Sequence, residues 1–323
     1  MKTKLIYCLG VLLSFLFHTC DEAEGGVYDN NQPNASVFAD ISDLRASLKP
    51  SPFTQTVDPT SNFSIVGPKG TTVNCLSNSI INSNGNTVSD DVIISLYEFT
   101  SLDEMILAKA PTTSNGNLLV TGGSFEVRAN DALTNEELDF NPWSCSCSLN
   151  IQTNPGIYEN QMLLFDGNTN NLDNNGQQVV DWNMVTQGEF SVADGVFEAW
   201  GIDIGFSNCD VLYDMAGENG TQFEATVSGV TDYTNNVEVW LIIEDFPSVV
   251  MLTTVNSTPA LETYLGSIPT GLNGTLIGIH IDNDNYLRFG SLPISVSGDD
   301  SFNIEVDFGT EEELVTLIES LVI

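Results

Sequence analysis

The side chains that could carry out catalysis are numerous, but their spacing matches no catalytic motif. The 44 Asp and Glu residues could supply the paired carboxylates of a glycoside hydrolase, yet no pair has an apolar setting that would raise one pKa. His280 alternates with apolar residues in GTLIGIHID, which indicates a strand histidine rather than the base of a serine triad. Gly-x-Ser-x-Gly, His-Glu-x-x-His and the glycine motifs of nucleotide binding are missing from the sequence. We expect no enzyme activity, and a carboxylate-dependent hydrolase stays open as an alternative.

Residues near the amino terminus indicate export and lipid attachment. Two lysines precede an apolar run, Leu5 to Phe17, that is too short to span a bilayer as a helix and suits a secretory signal. The next residues, Phe17-His18-Thr19-Cys20, resemble the lipobox of bacterial lipoproteins, with Cys20 as the acylated residue. We expect a signal peptide over residues 1–19 and a lipid on Cys20, with cleavage and no lipid as the alternative.

The residues behind this cysteine bear on location. The acidic run Asp21-Glu22-Ala23-Glu24 resembles the segment that follows the acylated cysteine in surface-exposed lipoproteins of Bacteroidetes. The resemblance implies a protein anchored by lipid in the outer membrane and displayed at the cell surface. A periplasmic orientation is the alternative.

Net charge excludes several classes of partner. The formal charge is −36, so the chain lacks the cations that would bind nucleic acid or dock on anionic lipid. Solubility in a salty exterior explains such acidity, and cation binding is the competing explanation. The first three ligand positions of an EF-hand loop are matched by Asp166, Asn168 and Asn170. The match then ends, because Asn171 stands where Gly is required and Gln177 stands where the terminal Glu is required. We therefore expect a solvated loop, with calcium as a weak alternative and no other cofactor.

Four further cysteines predict disulfides in an exported chain: Cys75, Cys145, Cys147 and Cys209. Cys145 and Cys147 lie two apart, so on a strand they share a face at a spacing unfavourable for a mutual bond. We expect each to pair with Cys75 or Cys209, and both pairings stay open. Zinc is disfavoured because Cys-x-Cys is not a common ligand spacing.

Short alternating segments predict an all-β protein of two antiparallel β-sandwich domains with a few short helices, including one at the carboxyl terminus. Asn84-Gly85 is a strong hairpin signal, because both positions of a type I′ turn require a positive φ. Phe302 to Phe308 alternates with period two. Thr310 and Glu313 predict the capping box of the last helix.

A family resemblance covers residues 65 to 129. They resemble a ZU5-like domain of Bacteroidetes outer-membrane lipoproteins of unknown function, and the matching segments are Gly67, Gly70-Thr71, Asn84-Gly85, Val92 to Glu98, Met105 to Leu107, Thr113 to Gly116 and Leu119 to Gly123. A second signature of these lipoproteins is matched by Gly205 to Asp210. The resemblance implies a β-sandwich that acts in protein interaction, and it supplies no catalytic residues.

These features divide the chain into five parts. We expect the signal peptide over 1–19, a flexible tether with a short helix over 20–50 and a ZU5-like sandwich over 51–140. An irregular connecting segment is expected over 141–200, and a C-terminal sandwich with its helix over 201–323.

Exposed aromatic residues are the remaining candidates for a ligand site. Trp143 and Trp182 lie in the segment expected to be irregular, so we take them as ligand-facing, whereas Trp200 and Trp240 are expected in the core. The sequence thus favours a non-enzymatic module that binds protein or glycan. A structural accessory subunit of an envelope complex is the second interpretation.

Overall fold

The computed structural model describes residues 33–253 and 260–322, so the signal peptide, Cys20 and most of the expected tether lie outside the described residues. The helices are α1 (Ile41–Leu48), α2 (Leu102–Ala108) and α3 (Glu311–Leu321), with a 3-10 helix at Gly156–Gln161. The strands are β1 (Phe53–Val57), β2 (Phe63–Val66), β3 (Thr72–Cys75), β4 (Ile80–Ile81), β5 (Val92–Phe99), β6 (Thr113–Ser114), β7 (Asn117–Asp131), β8 (Glu137–Phe140), β9 (Cys145–Asn150), β10 (Leu163–Leu172), β11 (Gln178–Met184), β12 (Glu189–Ala193), β13 (Val196–Trp200), β14 (Gly205–Leu212), β15 (Gly220–Thr221), β16 (Glu224–Val227), β17 (Val237–Ile243), β18 (Ser248–Met251), β19 (Leu261–Glu262), β20 (Ile268–Pro269), β21 (Asn273–Ile281), β22 (Leu287–Ser295), β23 (Ser301–Ile304) and β24 (Asp307–Phe308).

Two sheets enclose the first core. A nine-stranded sheet has the path β1-β5-β7-β14-β10-β11, with β4, β6 and β8 paired beside it. A five-stranded sheet, which we call the open sheet, has the order β12-β13-β9-β3-β2. Leu96 and Phe125 from the first sheet and Val73 and Phe197 from the second are buried between them. Burial alternates along β3 and β13, so the open sheet packs on this core with one face only.

A second five-stranded sheet, which we call the covered sheet, has the order β18-β17-β21-β22-β24. One face packs with the small sheets β19-β16-β23 and β15-β20 around a second core. Its other face lies under the three helices, where Trp240 and Ile277 join a core with Leu44, Met105 and Leu314. Strand β17, with the sequence VEVWLII, is accordingly buried at every position.

A buried ion-pair network holds α1 and α2 on the covered sheet. The guanidinium of Arg45 donates to the carboxylate of Glu238 on β17 and, at 2.7 Å, to the carbonyl oxygen of Ile106. The Nζ atom of Lys109 lies 3.3 Å from Glu238 and 2.6 Å from Asp173. Burial alone would raise the pKa of Glu238, but the two cations lower it to about 2. Since losing one member would leave a buried charge unpaired, the network fixes how the helices dock.

The expected all-β fold of antiparallel sheets with a few helices is confirmed. Among the strand pairs of the described residues, only β16 and β23 are parallel. The C-terminal helix α3 begins at the predicted capping box, in which Thr310 and Glu313 bond each other's backbone. Within the described part of the chain, no helix is both long and apolar enough to cross a membrane.

The sheets do not follow the expected divisions at residues 140 and 200. The nine-stranded sheet takes β10 and β11 from the range 141–200 and β14 from the range 201–323, and the described residues from Asn34 onward form one compact unit. The segment expected to be irregular instead forms β9 to β13, three of which belong to the open sheet. Its many Asn and Asp residues favour turns and obscured the alternation of these strands.

Candidate functional site

The outer face of the open sheet presents a row of side chains that crosses all five strands. Strand register places Glu189, Trp200, Ser146, Asn74 and Ser64 directly opposite one another, one residue from each strand. All five are exposed or half-buried. Directly opposed residues of an antiparallel sheet point to the same side, so these side chains form one continuous line on the surface.

A second row runs parallel to the first. It consists of Ser191, Glu198, Ser148, Thr72 and Val66, again one residue from each strand and again outside the core. The intervening positions, which include the buried Cys147, point into the first core. The period-two pattern of β13, Phe-Glu-Ala-Trp, thereby places Glu198 and Trp200 together on the outer side.

Trp200 lies where two shallow depressions meet. One, of about 430 Å³, is lined on the far side by Glu189, Ser191 and Glu198. The other, of about 360 Å³, extends to Asn62 and Leu76 beyond the opposite edge of the first row. Asn74 and Trp200 line both depressions, which therefore adjoin at these two residues, and we call the two together the groove. The side chain of Trp200 is 38% exposed. The expectation that it belongs to the core is therefore wrong.

Trp143 is exposed, as expected for a ligand-facing residue, and lies just before β9 with a positive φ of 62°. Its ring packs on Gly201, where an added Cβ would come within 2.6 Å of the Trp143 Cε3 atom. Gly201 follows Trp200 directly, so the two tryptophans lie at the same end of the open sheet. No contact of Trp143 with either depression is seen among the described residues.

The expectation for Trp182 is wrong. Its side chain is fully buried, and its Nε1 atom donates a hydrogen bond of 2.7 Å to the carbonyl oxygen of Pro111. The ring meets Phe206 edge-on, with 6.2 Å between the ring centroids. The physical reason is that residue 182 belongs to β11, where Val180 and Trp182 share the inward face. Trp240 is buried in the core, as expected.

The polar groups of the open face are free to bind a ligand. In residues 33–253 and 260–322, the side chains of Asn74, Ser146, Ser148 and Ser191 have no intramolecular hydrogen-bond partner. The face also carries no Lys or Arg. The six basic residues of that part of the chain all make ion pairs elsewhere, namely Arg45, Lys49, Lys69, Lys109, Arg128 and Arg288. The groove is therefore lined by neutral hydrogen-bonding groups and by apolar side chains such as Phe63 and Leu76, with the carboxylates of Glu189 and Glu198 at one end.

A disulfide lies beneath the groove. Cys75 of β3 and Cys145 of β9 face each other in register and are bonded, as one of the expected pairings required. Cys147 and Cys209 are free thiols in the first core, so the second expected bond is not formed. Burial raises the pKa of Cys147 to about 12 and that of Cys209 well above its ordinary value, which makes both thiols unreactive.

The residues considered for calcium form no loop. Asp166, Asn168 and Asn170 lie along β10, and the Oδ1 atom of Asn168 accepts the backbone N–H of Asn170 at 2.9 Å. The expected solvated loop is therefore wrong, because the segment pairs with β11 and, at Asp166, also with β14. No group of three or more His, Cys, Asp or Glu side chains suited to a metal occurs in the described ranges.

Three carboxylates of the described residues, Asp166, Asp203 and Asp210, have raised pKa values that no sequence motif located. Burial, together with the charge of Asp203, raises the pKa of Asp166 to about 6. Burial and the charge of Asp139 likewise raise the pKa of Asp203. These residues lie outside both rows of the open face, so they supply no acid or base to the groove.

Two other residue groups singled out in the sequence have structural roles. Asn208 and Asp210 are buried on β14, where the Asn208 amide donates to the Asp210 carboxylate at 2.5 Å. Burial raises the pKa of Asp210 well above its usual range. His280 lies on β21 of the covered sheet with its Nδ1 atom 2.9 Å from the carbonyl oxygen of Asn236. It is a satisfied strand histidine, as expected.

Comparisons of the chain with family models, with curated proteins and with solved structures found no match of any of the three kinds. The groove on the open sheet is therefore the feature of the described residues from which a function is best argued.

Proposed function

We propose that this protein is a non-enzymatic binding module that takes its ligand in the groove on the open sheet. The observation that carries the proposal is the row through Trp200. A large exposed indole is flanked on each strand by side chains whose hydrogen-bonding groups are unused. An aromatic anchor surrounded by convergent polar groups is a common arrangement at binding sites.

The positions of the residues that could act in catalysis favour a binding role over an enzymatic one. His280 is on the covered sheet and Asp166 is outside the groove, so neither faces a ligand bound at Trp200. Glu189 and Glu198 are the carboxylates of the face, and a carboxylate-dependent hydrolase would have to use them. Release of new reducing ends from a bound polysaccharide would favour that alternative.

The proposal includes an anchor. A lipid on Cys20 would hold the protein in the outer membrane and present the groove at the cell surface, where large ligands are accessible. Palmitate labelling of wild type and Cys20→Ala tests the anchor, and protease shaving of intact cells tests the orientation. Label on both proteins, or on neither, would contradict the anchor. Labelled protein that resists shaving would contradict surface display.

Binding is tested with immobilised protein and with fractions of envelope polysaccharide and envelope protein. We expect Trp200→Ala to retain about tenfold less of one fraction than wild type, because the anchor of the groove is removed. Phe53→Ala is the matched control, since Phe53 is equally exposed, at 37%, but lies on β1. Equal retention by wild type and Trp200→Ala would contradict the proposal. Retention of a protein fraction would favour the accessory-subunit interpretation.

A further inference from the structure

We propose that the ligand of the open face is an uncharged linear polysaccharide that lies across the strands, with one sugar unit over each strand. This inference rests on the proposed function and names the ligand class of the same groove. It is argued from three properties of the face: its side-chain chemistry, its charge and its spacing.

The side-chain chemistry fits a sugar chain. The first row places three neutral hydrogen-bonding side chains, Ser146, Asn74 and Ser64, in line beyond Trp200. Hydroxyl and amide groups both donate and accept, as sugar hydroxyls do, so either orientation of a hydroxyl finds a partner. The indole of Trp200 offers a flat apolar surface with a polar edge, which suits the C–H face of a pyranose ring.

The charge argues against charged ligands. The chain carries a net charge of −36, and Glu189 and Glu198 are the charged residues that line the groove. An anionic polysaccharide would be repelled, since no lysine or arginine faces it. A basic polypeptide would be attracted by the two carboxylates, but it would leave the neutral side chains of β9, β3 and β2 without a matching charge. An uncharged sugar chain can form hydrogen bonds along the whole first row.

The spacing fits a linear polymer. Adjacent strands lie about 4.8 Å apart, which is close to the length that one pyranose unit adds to a linear chain. The first row crosses five strands, so it is about 19 Å long and accommodates a chain of about five units. The second row, through Glu198 and Ser148, runs alongside and would contact the substituents on one side of the chain.

The test measures affinity of the full-length protein for soluble polymers. The probes are a β-linked glucan, a xylan, a mannan and an α-linked glucan, with polygalacturonate as the anionic comparison. We expect binding to at least one neutral polymer and none to polygalacturonate. Trp200→Ala should weaken that binding about tenfold, and Phe53→Ala should leave it unchanged.

Oligosaccharides of the polymer that binds then test the orientation. Affinity should rise with length up to about five units and then level off, because the row ends. Ser64→Ala should weaken binding of the five-unit chain several-fold and leave the two-unit chain unaffected, since Ser64 on β2 lies three strands, about 14 Å, from Trp200. A length dependence that stops at two units, or an effect of Ser64→Ala at every length, would overturn the crossing orientation.

Failure of this inference is distinguishable from failure of the proposed function. If wild type retains an envelope protein through Trp200 but binds none of the neutral polymers, the binding module stands and the polysaccharide is overturned. Preference for polygalacturonate overturns the uncharged class. If no envelope fraction or polymer depends on Trp200, both are overturned.

Discussion

The open sheet and the covered sheet each have five strands, but their outer faces differ. The covered sheet buries Trp240 beneath three helices, and every residue of β17 is buried. The open sheet exposes Trp200, and burial alternates along β13. In the described residues no helix or further sheet packs over Trp200. The covered sheet is thus buried on both faces, whereas the open sheet keeps one face in contact with solvent, and this is the face that we propose binds the ligand.

The two sheets also differ in where their charged side chains lie. Over the covered sheet, Arg45 and Lys109 are buried against Glu238, where their role is structural. On the open sheet, Glu189 and Glu198 face solvent and no cation accompanies them. Buried pairs fix geometry, whereas exposed unpaired groups remain available to a ligand.

The largest expected effect comes from making the same substitution on the two sheets. Trp240→Ala should reduce the free energy of unfolding by about 3–5 kcal/mol, because it leaves a cavity in a closed core. Trp200→Ala should change it by less than about 1 kcal/mol, since the ring is partly solvated. Denaturant titration measures both values. Equal losses would contradict the distinction between the sheets.

Removing the charge at the centre of the network should be nearly as damaging. Glu238→Gln leaves Arg45 and Lys109 buried without a counter-charge, and we expect a loss of about 3–4 kcal/mol at neutral pH. The pKa of Glu238 is lowered to about 2 from 4.5, so its contribution is present above pH 4.5 and is lost as the pH falls toward 2. The gap in unfolding energy between wild type and variant should therefore narrow in acid. A gap that is constant from pH 6 to pH 2 would contradict this role.

The open sheet lacks a covering layer, and we expect its disulfide to compensate. Replacing both Cys75 and Cys145 by Ala should cost about 2–4 kcal/mol, because the bond closes a loop with a sequence separation of 70 in the unfolded chain. Replacing Cys147 by Ala is the control, since it removes a buried thiol on the same strand without opening a loop. Thermal unfolding of the three proteins measures the effect, and equal midpoints for the double variant and wild type would contradict it.

The smallest expected change in stability comes from Asp166. Its pKa is raised, whereas that of Glu238 is lowered, so the two residues affect stability in opposite directions as the pH changes. The pKa of Asp166 is raised to about 6 from 3.8, so between these values the folded protein holds a proton that the unfolded chain has released. Stability should fall as the pH rises through this window. Asp166→Asn should therefore stabilise the protein by about 1 kcal/mol or less at pH 7, after allowance for partial exposure, and have no effect near pH 3.5. An equal effect at both pH values would contradict the assigned pKa.

Much of the local structure follows from sequence pattern. The capping box of α3 is a local feature, and it is present. The alternation that begins at Phe302 holds as far as Val306, but β23 ends at Ile304 and Phe308 is exposed. The continuous apolar run of β17 correctly indicated that Trp240 is core. The same reasoning, applied to Phe-Glu-Ala-Trp, would have placed Trp200 beside Glu198 on the outer face. The outward position of Trp200 is therefore predictable from the period-two pattern of β13.

Other features depend on distant parts of the chain. Arg45 and Glu238 are 193 residues apart, and no local pattern links them. The burial of Trp182 does not follow from local sequence, because the surrounding Asn and Asp residues favour turns and pairing with β10 is what makes the segment a strand. The groove itself exists only because β13, β9, β3 and β2 come together from three separate parts of the sequence.

The most direct test of the central claim is oxidative footprinting of the protein with and without the envelope fraction that it retains. The account predicts that oxidation of Trp200 slows in the complex, while oxidation of the equally exposed Phe53, on the nine-stranded sheet, is unchanged. Unchanged oxidation of Trp200, with protection elsewhere, would show that the ligand binds another surface and would contradict the assignment of the open face.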